Sequence, residues 1–188
     1  MTKPRFDDPS DIPHEPFQRG LVQVYTGNGK GKTTAALGLA LRAAGHGLRT
    51  HVIQFLKGVH YGELSALAAL PAITVRQFGG AEWVHPEAVR EEDRRRARQA
   101  LAYAGEALAG GEYKLVILDE INVALDWRLL EVAPILDLIR TKPTGIELVL
   151  TGRNAPPEII AAADLVSEMR EVKHPFQQGI LARCGIEF

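Results

Sequence analysis

The chain has 188 residues, 46% hydrophobic and 24% charged, a composition suited to one globular domain that buries about two-thirds of the surface its unfolded form exposes. Twenty-two Lys and Arg against 23 Asp and Glu leave a net charge of -1, which excludes a general attraction for nucleic acid. No apolar run approaches the roughly 20 residues of a membrane span. A single cysteine, Cys184, excludes an internal disulfide framework and a cysteine-only metal site, fits a reducing compartment, and reads as a small packed residue. Residues 1–19 carry Pro4, Pro13 and Pro16 among charges and lack the apolar core of a signal peptide. A flexible arm on a cytoplasmic domain spanning 20–188 is expected.

In chain order, Leu21 to Tyr25 is a short apolar strand that runs into a glycine cluster, and Thr33 to Ala44 is an Ala- and Leu-rich helix. Further strands are expected at Thr50–Phe55, Ile73–Phe78, Leu115–Leu118, Ile146–Thr151 and Leu165–Glu171. The fourth strand hardly alternates, as a strand covered on both faces would not. Helices are expected at Tyr61–Leu70, at Pro86–Ala109 with Gly110 and Gly111 as its stop, at Trp127–Arg140 and at Pro157–Ala162. Such alternation on short connections predicts an α/β fold: a mostly parallel sheet with helices on both faces, P-loop NTPase-like (RecA-like), with ligands at the carboxyl ends of the strands. The first, second, fourth and fifth strands all reach polar or glycine residues there.

The segment Thr26-Gly27-Asn28-Gly29-Lys30-Gly31-Lys32-Thr33 lies where a strand feeds a helix, the context of a phosphate-binding P-loop. Its glycines let backbone N–H groups turn toward phosphate oxygens, the helix start presents its positive dipole end, and Lys32 adds a full charge. Thr33 offers a hydroxyl to Mg²⁺, and Thr34 follows it. The strict pattern wants glycine where Thr26 stands, so the loop is a variant. Leu115-Val116-Ile117-Leu118-Asp119-Glu120 is an apolar strand ending in two carboxylates, either of which can hold Mg²⁺ beside phosphates. Arg153, in Thr151-Gly152-Arg153-Asn154, and Lys57, in Gln54-Phe55-Leu56-Lys57-Gly58, are equal candidates for phosphate contact from spacing alone. His46, His51, His60, His85 and His174 show no metal-ligand spacing. The run from Arg90 to Arg96 mixes charge signs at helical spacing and reads as a solvated face.

Gly20-Leu21, the P-loop through Thr34, Gln54–Gly58, Leu118-Asp119-Glu120, Thr151-Gly152-Arg153, Lys173-His174-Pro175-Phe176 and Gly185-Ile186-Glu187-Phe188 together resemble the CobA/CobO/BtuR-type corrinoid adenosyltransferases, over about residues 20–188. The resemblance implies that Co(I) of a reduced corrinoid attacks the 5′ carbon of ATP, releasing triphosphate, in adenosylcobalamin biosynthesis or salvage. It implies ATP bound by Gly27 to Thr34 and catalytic roles for Lys32, Thr33, Glu120 and Arg153. Mg²⁺ would lie at Thr33, Asp119 and Glu120. It further implies a homodimer, a flavoprotein or flavodoxin reductant, and an apolar wedge that strips the corrinoid's lower ligand. Phe78 and Trp83 are the corrinoid candidates, with Ala81 standing where the family often has a second aromatic. The arm would fold over the site when corrinoid binds. The residues leave two alternatives open, a P-loop kinase or RecA-like NTPase and a nucleotide-gated binding protein without chemistry.

Overall fold

A computed structural model describes residues 17–188 other than Trp83 and Phe188. The expected N-terminal arm therefore lies, up to residue 16, outside the described residues, as does the Trp83 wedge.

Six strands form one parallel sheet: β1 (Val22–Thr26), β2 (Thr50–Gln54), β3 (Ile73–Gln77), β4 (Leu115–Asp119), β5 (Glu147–Thr151) and β6 (Leu165–Glu168), in the spatial order β3-β2-β4-β5-β1-β6. Register sets Gln54 opposite Asp119, Leu118 opposite Leu150 and Tyr25 opposite Thr151, so the polar ends of β1, β2, β4 and β5 line up along one edge. The helices are α1 (Lys32–Gly45), α2 (Gly62–Ala68), α3 (Glu91–Ala109), α4 (Ile121–Asp126), α5 (Val132–Thr141) and α6 (Pro157–Ala162). No described helix is long and apolar enough to cross a membrane.

The unbroken apolar run of β4 is explained by its two faces. Leu115 and Ile117 pack with Ala36, Ala40 and Ala43 of α1, whereas Val116 and Leu118 pack with Ala97, Ala100 and Ala104 of α3. Alanines spaced three or four residues apart put a flat stripe on each helix, which brings its backbone close to the sheet.

Two expected helices are divided. Pro86–Ala88 is a short 3₁₀ turn, and Val89 and Arg90 are extended before α3 begins. The cause is Asp93, which is buried and accepts the Arg90 backbone N–H at 3.0 Å, capping a new helix start. The other charges of that run do face solvent, with Glu92 pairing Arg95 at 2.6 Å and Arg96 at 3.0 Å. Trp127 ends α4 instead of starting α5, because Arg128 takes a left-handed φ of 54° and breaks the helical path. Cys184 is exposed, not packed, since it lies in the tail beyond β6, off the sheet.

Ala100 has no exposed surface, so Ala100→Leu is expected to destabilise the fold by about 1–3 kcal/mol through overpacking. Ala102→Leu on the exposed side of α3 should change stability by less than about 0.5 kcal/mol. Urea unfolding of the two variants checks the difference.

Candidate nucleotide and metal site

The P-loop occupies residues 26–33 between β1 and α1, as expected. Its first position has a definite structural use: the buried Thr26 hydroxyl accepts the Ala155 backbone N–H at 3.1 Å and ties the P-loop to the loop after β5. Gly27 has φ 92°, and a Cβ there would lie 2.5 Å from the Met169 carbonyl oxygen. Gly29 donates its N–H to that same oxygen at 2.6 Å, so the chain leaving β6 buttresses the loop. Helix α1 has no acidic residue in its first turn, which leaves its positive dipole end available to an anion.

Lys32 is buried, and its ammonium donates to the carbonyls of Gly27 and Gly29, each at 2.7 Å. Burial pushes its pKa below the ordinary lysine value; the Glu120 carboxylate opposes that shift and the Arg153 guanidinium adds to it. Arg153 is exposed, yet it stands near enough to influence both Lys32 and Glu120. Asn28 and Thr34 are also exposed. Lys30 turns away to the C-terminal segment, donating to the Ile186 carbonyl at 2.8 Å and to Glu187 at 2.9 Å.

The centre of the site is Asp119, fully buried at the end of β4. Its Oδ1 accepts the Thr33 hydroxyl at 2.8 Å and the Thr151 hydroxyl at 2.7 Å. Its Oδ2 accepts Lys57 Nζ at 2.8 Å and the Gln54 amide at 3.2 Å. Burial alone would depress the Lys57 ammonium, but the charge and hydrogen bond of Asp119, with the charges of Glu120 and Glu63, together outweigh it and hold the pKa above the ordinary value. Next to it, Glu120 adopts a left-handed φ of 65° at the start of α4, while its N–H donates to the Thr151 hydroxyl at 3.0 Å. Burial raises the Glu120 carboxyl, the Asp119 charge raises it further, and Lys57, Lys32 and Arg153 partly compensate.

This donor set fits a hard divalent cation. Thr33 and Asp119 present oxygens 2.8 Å apart at the mouth of the P-loop, the arrangement with which one hydroxyl and one carboxylate hold Mg²⁺ beside phosphate. Among the described residues no group of three or more His, Cys, Asp or Glu gathers to hold a metal. Phosphate oxygens and water would complete the coordination shell.

Lys57 separates from Arg153 here: the first contacts Asp119 and Thr33, and the second is exposed and stands off them. Gln54 and Thr151 were not singled out from the sequence, although each is a polar residue ending an apolar strand at the ligand edge, and that was the available signal. Phe78 is half-buried and packs against Tyr103 with ring centroids 5.5 Å apart, while Ala81 is exposed. The loop that carries Phe78 follows β3, four strand spacings, or about 19 Å, from the P-loop along the same edge. On the other side, a cleft of ≈ 360 Å³ beside Gly29 is lined by Lys30, Arg170, Lys173, His174 and Arg183, with Glu171 and Glu187.

Residues 18–188 match the family described as ATP:corrinoid adenosyltransferase BtuR/CobO/CobP. The chain is 40% identical over 172 residues to a corrinoid adenosyltransferase of Pseudomonas aeruginosa, covering 91% of this chain and 85% of the relative. It is 36% identical to the corrinoid adenosyltransferase of Escherichia coli K12, and 35% identical to corrinoid adenosyltransferase CobA of Salmonella typhimurium. Each of these covers 91% of this chain and 87% of the relative. Neither the kinase or NTPase alternative nor the pure binding protein is favoured by these relatives.

A carboxyl whose pKa rises on folding supports the folded state while protonated, and that support is lost as pH rises through the folded value. Glu120→Gln is therefore expected to raise the thermal midpoint of the ligand-free protein at pH 8, with the gain shrinking toward pH 4.5. Scanning calorimetry at the two pH values checks this, and a pH-independent shift would contradict it.

Proposed function

Because the chain belongs to the ATP:corrinoid adenosyltransferase family, and so transfers the adenosyl group of ATP to a corrinoid, we propose that its reaction is attack by Co(I) on the 5′ carbon of P-loop-bound ATP. The cobalt–carbon bond forms with the cobalt electron pair as the bond from C5′ to the α-phosphate oxygen breaks. Inorganic triphosphate leaves. The observation that supports this reading is the convergence of Thr33, Lys57, Gln54 and Thr151 on Asp119 beside Lys32. Such a site positions a polyphosphate and stabilises its departing charge.

Cobalt(I) is itself the nucleophile, so no side chain has to remove a proton. What the protein supplies is orientation and preorganised charge. Lys32 exchanges its loop carbonyls for phosphate oxygens, the N–H groups of residues 27–34 cradle the chain, and Arg153 closes on it from the loop after β5. Mg²⁺, held by Thr33 and Asp119 with Glu120 nearby, would neutralise phosphate charge. The basic cleft beyond Gly29 offers the triphosphate room. Phe78, in the loop after β3 at the other end of the edge, takes the corrinoid, and Trp83, by its family resemblance, acts with it to displace the lower ligand, which eases reduction from Co(II).

We read the working form as a cytoplasmic homodimer served by a flavoprotein or flavodoxin reductant. The apolar side chains left open beyond β6, Val172, Phe176 and Leu181 among them, suit a protein partner, and sedimentation measures the oligomeric state directly.

An anaerobic assay with ATP, Mg²⁺ and chemically reduced cobalamin tests the reaction. A light-sensitive adenosylcobalamin spectrum with one triphosphate per turnover is expected; ADP accumulating without alkylation would overturn the proposal. Lys32→Ala should lower turnover by roughly 10²-fold or more. Trp83→Ala should retain ATP binding while losing adenosylation that starts from Co(II).

A further inference from the structure

Lys57 stands where a divalent cation would. Its Nζ is 2.8 Å from Asp119 Oδ2 and 3.4 Å from Thr33 Oγ1, so one ammonium bridges the two groups that suit Mg²⁺. Only 17% of the Lys57 side chain is exposed, and the carboxylate it neutralises is wholly buried.

The backbone holds Lys57 in this place at a cost. The Lys57 N–H donates to the Phe55 carbonyl at 2.7 Å across Leu56, whose φ is 61°. That is a γ-turn of positive φ, a strained geometry for a branched residue and of the kind retained where a site must switch or clamp. From the other side, Gly79 donates its N–H to the Lys57 carbonyl at 2.9 Å. A Cβ on Gly79 would lie 2.3 Å from the Lys57 carbonyl carbon, so the close approach needs glycine. A surface lysine that merely happened to reach Asp119 would need neither the strained turn nor the clamp.

We infer that Lys57 is the resident cation of the metal seat, displaced when a divalent ion arrives with the nucleotide, and that it thereby disfavours binding of the metal alone. This rests on the reading of the site as a metal–nucleotide site. Without ligand, the Lys57 charge stabilises Asp119 and repels an incoming dication. When metal and polyphosphate enter together, the ammonium leaves Asp119 for the phosphate chain, where it adds to the charge held by Lys32. A metal ion alone offers Lys57 no such new partner, so exchange is favourable only with the nucleotide present.

The test uses the full chain and Mn²⁺, read by loss of the free-ion electron paramagnetic resonance signal, with and without ATP. In the parent, Mn²⁺ alone is expected to bind weakly and ATP to increase its affinity strongly. Lys57→Met should bind Mn²⁺ alone at least tenfold more tightly than the parent, and Lys57→Arg should keep the parent's weak binding. Lys57→Gln serves in place of Lys57→Met should that variant fail to fold. Unchanged or weaker Mn²⁺ binding in the neutral variant, with Mn²⁺·ATP still bound, would overturn the inference. Failure of the parent to bind Mn²⁺·ATP would overturn the underlying reading of the site instead.

Discussion

A charged carboxylate with no exposed surface sits at the end of the central strand, and the ligand edge is built around it. An isolated buried ion costs several kcal/mol, so Asp119 is tolerable only with partners that satisfy both its oxygens. Those partners come from four places in the chain: Thr33 from α1, Gln54 from β2, Lys57 from the loop after β2, and Thr151 from β5. β4 is apolar until Asp119, and β2 and β5 end in the polar Gln54 and Thr151, so the three strands present polar groups at one edge. The parallel register makes this convergence possible, because it sets the ends of β2, β4 and β5 side by side.

The same edge orders the candidate elements in space. The P-loop leaves β1, the Asp119 cluster is on β4 with its partners on β5 and β2, and the loop with the corrinoid candidates leaves β3. The Asp119 cluster lies between the P-loop and the loop after β3 along this edge. Hydrogen-bond donors and the Lys57 ammonium surround Asp119 there. Thr26 adds a mechanical link, since its hydroxyl joins the P-loop to the loop bearing Arg153. The departure from glycine at that position is thus a tie between the P-loop and the loop after β5.

Features decided within a few residues were legible in the sequence. Gly27 to Thr33 reads as a phosphate loop because glycine backbone freedom, a helix start and a lysine are local properties. The strand before Asp119 reads as doubly covered because its apolar run ignores the two-residue period. Where competing local signals had to be settled by packing, the reading slipped. The pattern from Pro86 to Ala109 is helical throughout, but burial of Asp93 makes it a cap that starts the helix afresh at Glu91. Trp127 fits the next helix by pattern, and the left-handed Arg128 excludes it.

Lys57 and Arg153 show the boundary most clearly. Each is a cation just past an apolar strand, and nothing in the linear order ranks one above the other. The fold ranks them: β2 lies next to β4, which puts Lys57 on Asp119, while Arg153 stays in solvent at the loop after β5. The sequence by itself determined the phosphate loop, the paired carboxylates, the parallel α/β architecture and the family, since all of these rest on local chemistry and ordered spacing. Only the tertiary structure decided that one carboxylate gathers four distant partners, that Thr26 ties two loops together, and that Lys57 rather than Arg153 contacts that carboxylate. These follow from strand order and register, which bring together residues dozens of positions apart.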